Sequence, residues 1–312
     1  EFYQVDMEMA YATQEDVFSV IEPVMYNTFK KFSNKKIAEY PFPRITYKDA
    51  MLKYGSDKPD LRNPLVIIDL SDFFSKCTFK PFIGRTVRAI KVKGHLSKGF
   101  HEKMLSFATS IGMGGLGYLE VQEDLSFKGP IDKFIPDDLK KELLKLADLE
   151  VEDTIFFIAD KEARATELAG QIRTELGNRL NLINNDEFKF CWIVDFPMYE
   201  LDERGNIAFN HNPFSMPQGG LEALNTQNPL DIVAYQYDIV CNGIELSSGA
   251  VRNHDPEIMI KAFELAGYSK EHIEEKFPAL FNAFQYGAPP HAGIAPGFDR
   301  MLMLLTESET IR

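Results

Sequence analysis

The sequence predicts an α+β fold: a strand-rich body flanked by helices and interrupted by a smaller inserted α/β domain. Three observations carry this expectation. Strand patterns occupy both the start of the chain and the stretch after Lys189. Between about Phe74 and Glu187 the texture changes to strands alternating with helices, and the strand-rich style then returns. Asn242-Gly243 stands between two strand patterns, 236–240 and 245–251, the strongest short hairpin signal in the chain. The expected boundaries are 1–73, 74–187 and 188–312.

Taken in order, the chain opens on Glu1-Phe2-Tyr3-Gln4-Val5-Asp6, an alternating pattern read as a strand. Thr13 and Asp16 form a capping box before apolar residues at helical spacing: Val17, Val20, Ile21, Val24, Met25 and Phe29. Pro41-Phe42-Pro43 breaks the chain, and a second box, Thr46 with Asp49, starts a short helix ending before Gly55. The loop 54–64 follows, dense in charge and turn residues; composition alone reads it as a surface loop. In the middle region strands are expected at 87–92, 118–122 and 154–159, with helices near 97–111, 136–146 and 161–180. After it come a buried strand at 190–195, a short strand at 207–209, helices from Pro256 and over 270–284, and a final apolar run after Asp299 that reads as a buried helix.

Composition narrows the function classes. A formal net charge of −13 disfavours a generic nucleic-acid binder, which needs clustered Lys and Arg, although an acidic body can carry a local basic face. Cys77, Cys191 and Cys241 lie far apart without ligand spacing. They predict buried free thiols in a reducing compartment, taken as the cytoplasm, and argue against a disulfide scaffold or a zinc site. No run approaches the roughly 20 apolar residues that span a bilayer, so no membrane partner is expected. Both ends look like cuts through a larger protein.

Several residues could carry chemistry. Gly293 and Gly297 stand four apart, and Gly297-Phe298-Asp299-Arg300 leads into the last helix. Glycines before a helix N-terminus suit a phosphate, and Arg300 in the first turn reaches the same ligand; a plain structural turn reads equally well. Asp238 and Glu245 bracket the hairpin, where two close carboxylates would hold Mg²⁺; alternatively one faces solvent. Arg252 follows the small residues Ser247, Ser248, Gly249 and Ala250, which leave room for a ligand carboxylate in its fork. A surface arginine is the bland reading. His211, after a strand, either donates to a ligand anion or caps its turn. His291 orients the glycine loop or touches the ligand. Phe2, Gln4 and Asp6 alternate on one strand, which offers a stacking ring beside an acceptor for an ammonium group; a half-buried edge strand shows the same alternation.

Together these residues resemble a known family. The motifs are Glu1-Phe2-Tyr3-Gln4-Val5-Asp6, Tyr54-Gly55-Ser56-Asp57-Lys58-Pro59-Asp60-Leu61-Arg62, Asp195-Phe196-Pro197-Met198 and His211-Asn212-Pro213-Phe214. Next come Asn242-Gly243-Ile244-Glu245, Gly249-Ala250-Val251-Arg252 and Tyr286-Gly287-Ala288-Pro289-Pro290-His291-Ala292-Gly293, running into Gly297-Phe298-Asp299-Arg300. The chain resembles the catalytic portion of a bacterial-type aspartyl-tRNA synthetase, a class II aminoacyl-tRNA synthetase, over essentially its whole length. The resemblance implies a six-stranded antiparallel sheet flanked by helices, with a GAD-type insertion domain at 74–187. It implies formation of aspartyl-adenylate from L-aspartate and ATP with Mg²⁺, transfer to tRNA-Asp with tRNA-Asn left open, and a homodimer at full length.

By the same resemblance Phe2 stacks on adenine, Asp6 receives the α-ammonium, and His211 and Arg252 bind the side-chain carboxylate. Asp238 and Glu245 hold Mg²⁺–ATP; Gly297, Phe298, Asp299 and Arg300 form motif 3. Arg252, Arg300 and Glu245 are the expected catalytic residues. Asn212 departs from a family His-His pair. Motif 1, the motif 2 arginine and the anticodon domain are not in this sequence, so this piece alone is expected to be inactive. The rival reading is a synthetase-like binding or regulatory module without catalysis. An asparaginyl- or lysyl-type enzyme, or an aspartate–asparagine ligase, is a third; His211 paired with Arg252 favours aspartate.

Overall fold

The computed structural model describes residues 2–311. Glu1, at the head of the first motif, and Arg312 lie outside the described residues. The chain folds into two compact units, one built from residues of 2–48 and 186–311, the other from Asp49–Asn185.

The first unit is organised by strands β1 (Met7–Ala10), β2 (Arg44–Thr46), β3 (Phe190–Pro197), β4 (Val233–Cys241), β5 (Ile244–Val251) and β6 (His291–Pro296), with helices α1 (Gln14–Phe32) and α2 (Phe298–Leu305). They form one six-stranded sheet in the order β1-β6-β5-β4-β3-β2. All neighbours are antiparallel except β2 and β3, which run parallel. Here the structure departs from a wholly antiparallel expectation, because a long excursion of chain separates these two strands and no hairpin joins them.

Packing follows from the period-2 alternation of strands. Trp192, Tyr237, Ile239, Cys241, Ala292 and Ile294 point to one face and pack on Val17, Phe18, Ile21, Met25 and Phe29 of α1. The Thr13–Asp16 capping box forms as expected. Phe18 stacks on Trp192 with ring centroids 3.8 Å apart. Buried Glu22 accepts from Trp192 Nε1 (2.7 Å) and the Phe42 amide (3.1 Å), so its carboxylate has two donors. Val20 and Val24, counted in the apolar stripe from sequence, are exposed, because the buried arc follows positions 17, 18, 21, 25 and 29.

Three further expectations are corrected. The first strand begins at Met7; residues 2–6 are exposed and lie outside any strand, with one isolated bridge, Gln4 with Gly297. They flank an edge strand and have a neighbour on one side only. The helix expected over 270–284 is two helices, Lys270–Lys276 and Pro278–Gln285, because Pro278 cannot continue the first and instead opens the second. Helix α2 carries the apolar run as expected, yet none of its residues is buried; Met301, Leu304 and Leu305 lie partly buried against the α1 core.

The second unit has a five-stranded sheet in the order Ile67–Asp69, Thr86–Lys93, Asp153–Asp160, Gly117–Val121, Phe127–Lys128. Helices alternate with strands as expected, but every pairing is antiparallel. The helix Lys98–Ser110 joins two strands that run the same way, and Asp153–Asp160 inserts between them in the opposite sense. Residues 49–73, grouped with the first unit from sequence, belong to this one, because Ile67–Asp69 pairs with Thr86–Lys93.

The loop 54–64 is not a loose surface loop. Arg173 donates to the carbonyls of Leu65 (2.6 Å), Asp60 (3.0 Å) and Asn63 (2.7 Å), and its guanidinium sits over the Tyr54 ring. Asp60 holds Arg62, and Asp57 holds Lys58. Burial lowers the Arg173 pKa to about 10, so it stays charged at neutral pH.

All three cysteines are buried, and no disulfide occurs among the described residues. Burial pushes the Cys191 thiol up to about 12 and raises that of Cys77. A raised pKa keeps the unreactive thiol form. Native protein treated with iodoacetamide at about pH 8, an ordinary thiol pKa, should leave the peptides carrying Cys77, Cys191 and Cys241 unmodified, with all three labelled after denaturation. Rapid native labelling of Cys191, read by peptide mass mapping, would contradict its placement.

Candidate active site

The sheet face turned away from α1 holds the candidate residues, and strand register places them in rows. Glu8 stands opposite Gly293, Gly293 opposite Ala250, and Ala250 opposite Gln236. In the next row Ala295 stands opposite Ser248, and Ser248 opposite Asp238. Asp6 continues that row beside Ala295: the Val5 amide donates to Pro296 O (2.9 Å), and Gln4 bridges Gly297. The centre of this face is therefore paved with Gly293, Ala295, Gly297, Ser248 and Ala250, small residues that leave a shallow floor. Charged side chains stand around it.

The hairpin between β4 and β5 turns on Asn242 (φ 53°) and Gly243 (φ 84°), a pair of left-handed residues that fits a two-residue connection. A bulge shifts the register, so that Ile239 faces Ser247 and Val240 faces Glu245. Asp238 and Val240 share a face, so Glu245 comes onto the same face as Asp238. Asp238 is buried and Glu245 half-buried. No group of three or more metal-ligating side chains occurs among the described residues. Two carboxylates completed by phosphate oxygens and water are a normal Mg²⁺ arrangement, so the residues present fit that ion.

At the Glu245 end a cavity of about 320 Å³ is lined by Phe2, Gln4, Glu245, Gly297, Asp299 and Arg300 among others. Arg300 Nη1 donates to the Glu245 carbonyl (2.7 Å) and reaches its Oε1 (3.3 Å). The Gly297 amide donates to Leu246 O (2.7 Å), which ties the start of α2 to β5. Asp299 Oδ2 accepts from the Tyr3 amide (2.6 Å), and Phe298 N donates to Tyr3 O (2.9 Å). Phe2 is exposed on the cavity wall, where a flat ring partner could lie against it.

At the other end of β5 stands Arg252, outside the lining of that cavity. Its Nε donates to Glu8 Oε1 (3.0 Å), and its Nη2 donates to the same oxygen. Its own amide donates to His291 O (2.9 Å), and Ser215 forms an isolated bridge with it. His211 lies just before that bridge, but its ring rests on Phe196 and Tyr47 (centroids 5.2 and 6.1 Å).

The structure thus gathers Phe2, Glu245, Gly297, Asp299 and Arg300 around one cavity and puts Asp6, Asp238 and Arg252 on the same sheet face beyond it. It does not join His211 to Arg252 by a contact. Sequence reasoning passed over Glu8, Tyr3 and Tyr237. The Tyr237 hydroxyl donates to Gly293 O (3.0 Å), and burial raises its pKa. The one sequence signal for Glu8 was its phase with Gln4 and Asp6 along the strand.

With this geometry in hand, the comparisons with known proteins are specific. All of residues 1–312 match the family model described as tRNA synthetases class II (D, K and N), and the chain belongs to that family. It is 55% identical over 320 residues to an aspartate–tRNA(Asp/Asn) ligase of Ehrlichia chaffeensis, covering 100% of this chain and 54% of the relative. It is 54% identical over 324 residues to the protein of that name from Rickettsia felis, with the same coverage. The chain therefore spans about half the length of the curated relatives it matches. Among solved structures, an asparaginyl-tRNA synthetase of Entamoeba histolytica in complex with asparaginyl-adenylate is similar over 100% of this chain and 46% of its own, at a TM-score of 0.41 and 13% identity. That likeness is too weak to bear on the site.

Proposed function

We propose that the chain is the aspartate-activating part of an aspartate–tRNA ligase. The observation that carries this reading is one sheet face with two arginines at the two ends of β5, Arg252 held by Glu8 and Arg300 held by Glu245, over a floor of small residues. A molecule with a carboxylate at one end and a nucleotide at the other matches that distribution of charge.

In this reading Arg252 binds the aspartate side-chain carboxylate, assisted by His211, and Asp6 receives the α-ammonium. Phe2 lies against adenine, and Gly297, Phe298, Asp299 and Arg300 close on the ATP. Asp238 and Glu245 would hold Mg²⁺, which when bound neutralises phosphate charge. The substrate's α-carboxylate oxygen attacks the α-phosphorus, and the bond from that phosphorus to pyrophosphate breaks. The nucleophile is already an anion, so no protein base is needed; positioning and cationic stabilisation supply the catalysis. A terminal adenosine hydroxyl of tRNA then attacks the aspartyl carbonyl, and AMP leaves. The names of the relatives extend the acceptor to both tRNA-Asp and tRNA-Asn. The compact unit Asp49–Asn185 is proposed as the GAD-type insertion domain. The whole protein is proposed as a cytoplasmic homodimer: the buried cysteine thiols support the compartment, while the dimer rests on family resemblance.

ATP–pyrophosphate exchange by the whole protein tests this, with aspartate, asparagine and lysine compared, followed by charging of each tRNA transcript. Exchange driven by aspartate is expected. Exchange driven by asparagine or lysine instead, or none with any of the three, would remove the reading.

A further inference from the structure

Glu8 falls outside every motif that points to function, yet the sheet is built around its carboxylate. Glu8 and Gly293 are direct partners across β1 and β6. A Cβ on Gly293 would fall inside the Glu8 carboxyl group and against Met7 O. The glycine therefore leaves the space that the carboxylate occupies. From the opposite face the Tyr237 hydroxyl pins Gly293 through its carbonyl (3.0 Å). Lying across this glycine, Glu8 reaches past β6 to Arg252 beyond the end of β5.

The contact itself is asymmetric. One oxygen, Oε1, takes both the Nε–H and an Nη2–H of Arg252, and no described residue pairs with Nη1. A guanidinium offers five N–H donors in a rigid plane. Fixing one edge orients the plane and leaves donors for a second carboxylate. A carboxylate that merely stood in for substrate would be expected to engage the fork with both oxygens. Here it is seated against the sheet and spends only one.

We propose that Glu8 is a positioning residue for aspartate selection: seated on Gly293, it holds the Arg252 plane so that Nη1 and the remaining Nη2 donor meet the substrate side-chain carboxylate. The proposal rests on the assignment of Arg252 made above. It also gives Gly293 a role as a seat, separate from any phosphate turn.

The test uses the whole protein and the exchange reaction, with KM for aspartate and for ATP measured separately. Glu8→Gln keeps the shape and removes the charge. It should raise the aspartate KM on the order of tenfold or more, with the ATP KM and thermal midpoint unchanged. Gly293→Ala also pushes the carboxylate off its seat, but its Cβ would meet the Met7 carbonyl as well, so it should raise the aspartate KM and lower the thermal midpoint together, and the split is read from Glu8→Gln. A lowered aspartate KM in Glu8→Gln would make Glu8 a competitor of substrate and overturn the proposal, as would an unchanged one. Equal damage to both KM values would make it structural and overturn it too. If Arg252→Ala also leaves the aspartate KM unchanged, the Arg252 assignment falls and takes the proposal with it. If Arg252→Ala raises that KM while Glu8→Gln does not, the role of Glu8 alone falls.

Discussion

Replacing Arg252 with alanine is expected to abolish aspartate-dependent pyrophosphate exchange by the whole protein. The truncation removes a charge-assisted contact to the substrate carboxylate, a loss of about 2–5 kcal/mol, or roughly 30- to 5000-fold in kcat/KM. The upper part of that range is expected here because of what remains. Glu8 Oε1 is engaged by Arg252; without the arginine, its carboxylate stands beside the incoming carboxylate, and like charges repel. Removing both residues should therefore be less damaging than the separate losses predict, and a double-mutant cycle would read the coupling. Arg252→Lys returns the charge without the planar fork, and should recover only part of the activity. ATP binding should stay intact in all of these variants, since Arg252 lies outside the cavity that Arg300 lines. Near-normal exchange in Arg252→Ala would end the assignment of this arginine to aspartate.

What the sequence made legible was mostly local. The capping box of α1, the Asn242-Gly243 turn, and the strands and helices of the middle region all depend on residues within a few positions of one another, and they form within a residue or two of expectation. Pro278 was equally visible, but its neighbours carried a continuous helical pattern that hid the break. What stayed hidden was long-range register. Glu8 and Arg252 are 244 positions apart and meet only because β1 pairs with β6, and β6 with β5. The bulge that brings Glu245 to the face of Asp238 is likewise a property of the pairing. Burial of α2 was misread because an apolar run records what a segment can bury; in this structure none of α2 is buried. The loop 54–64 looked like surface from its charge density, but its acidic and basic side chains pair with one another and its carbonyls go to Arg173.

That loop carries a large expected effect on stability. Gly55 has φ +70°, and a Cβ there would lie 2.5 Å from the Gly170 amide nitrogen and 2.6 Å from Thr166 O. The converse also holds: a Cβ on Gly170 would lie 2.6 Å from Gly55 O. Two backbones touch here without any side chain between them, and the atoms in the way are backbone atoms of the helix Glu162–Arg179, which cannot rotate aside as a side chain can. Gly55→Ala incurs two costs. The left-handed conformation costs an L-residue about 1–2 kcal/mol, and forcing the loop off the helix adds about 1–3 kcal/mol. Displacement would also strain the hydrogen bonds from Arg173 and Asn63 that lie on the same junction. Gly84 separates the two costs, because it has the same φ of +70° and nothing within 4 Å of its Cβ position. Gly84→Ala should show the conformational cost alone. Urea unfolding of the two variants, followed by a probe within residues 49–185, should place Gly55→Ala below Gly84→Ala by the contact cost. Hydrogen exchange in Glu162–Arg179 should accelerate in Gly55→Ala only. Equal stability of the two would mean that the loop can lift from the helix freely. The pairing of Gly55 with Gly170 would then be a passive proximity, and the anchoring by Arg173 would have to hold the junction without it.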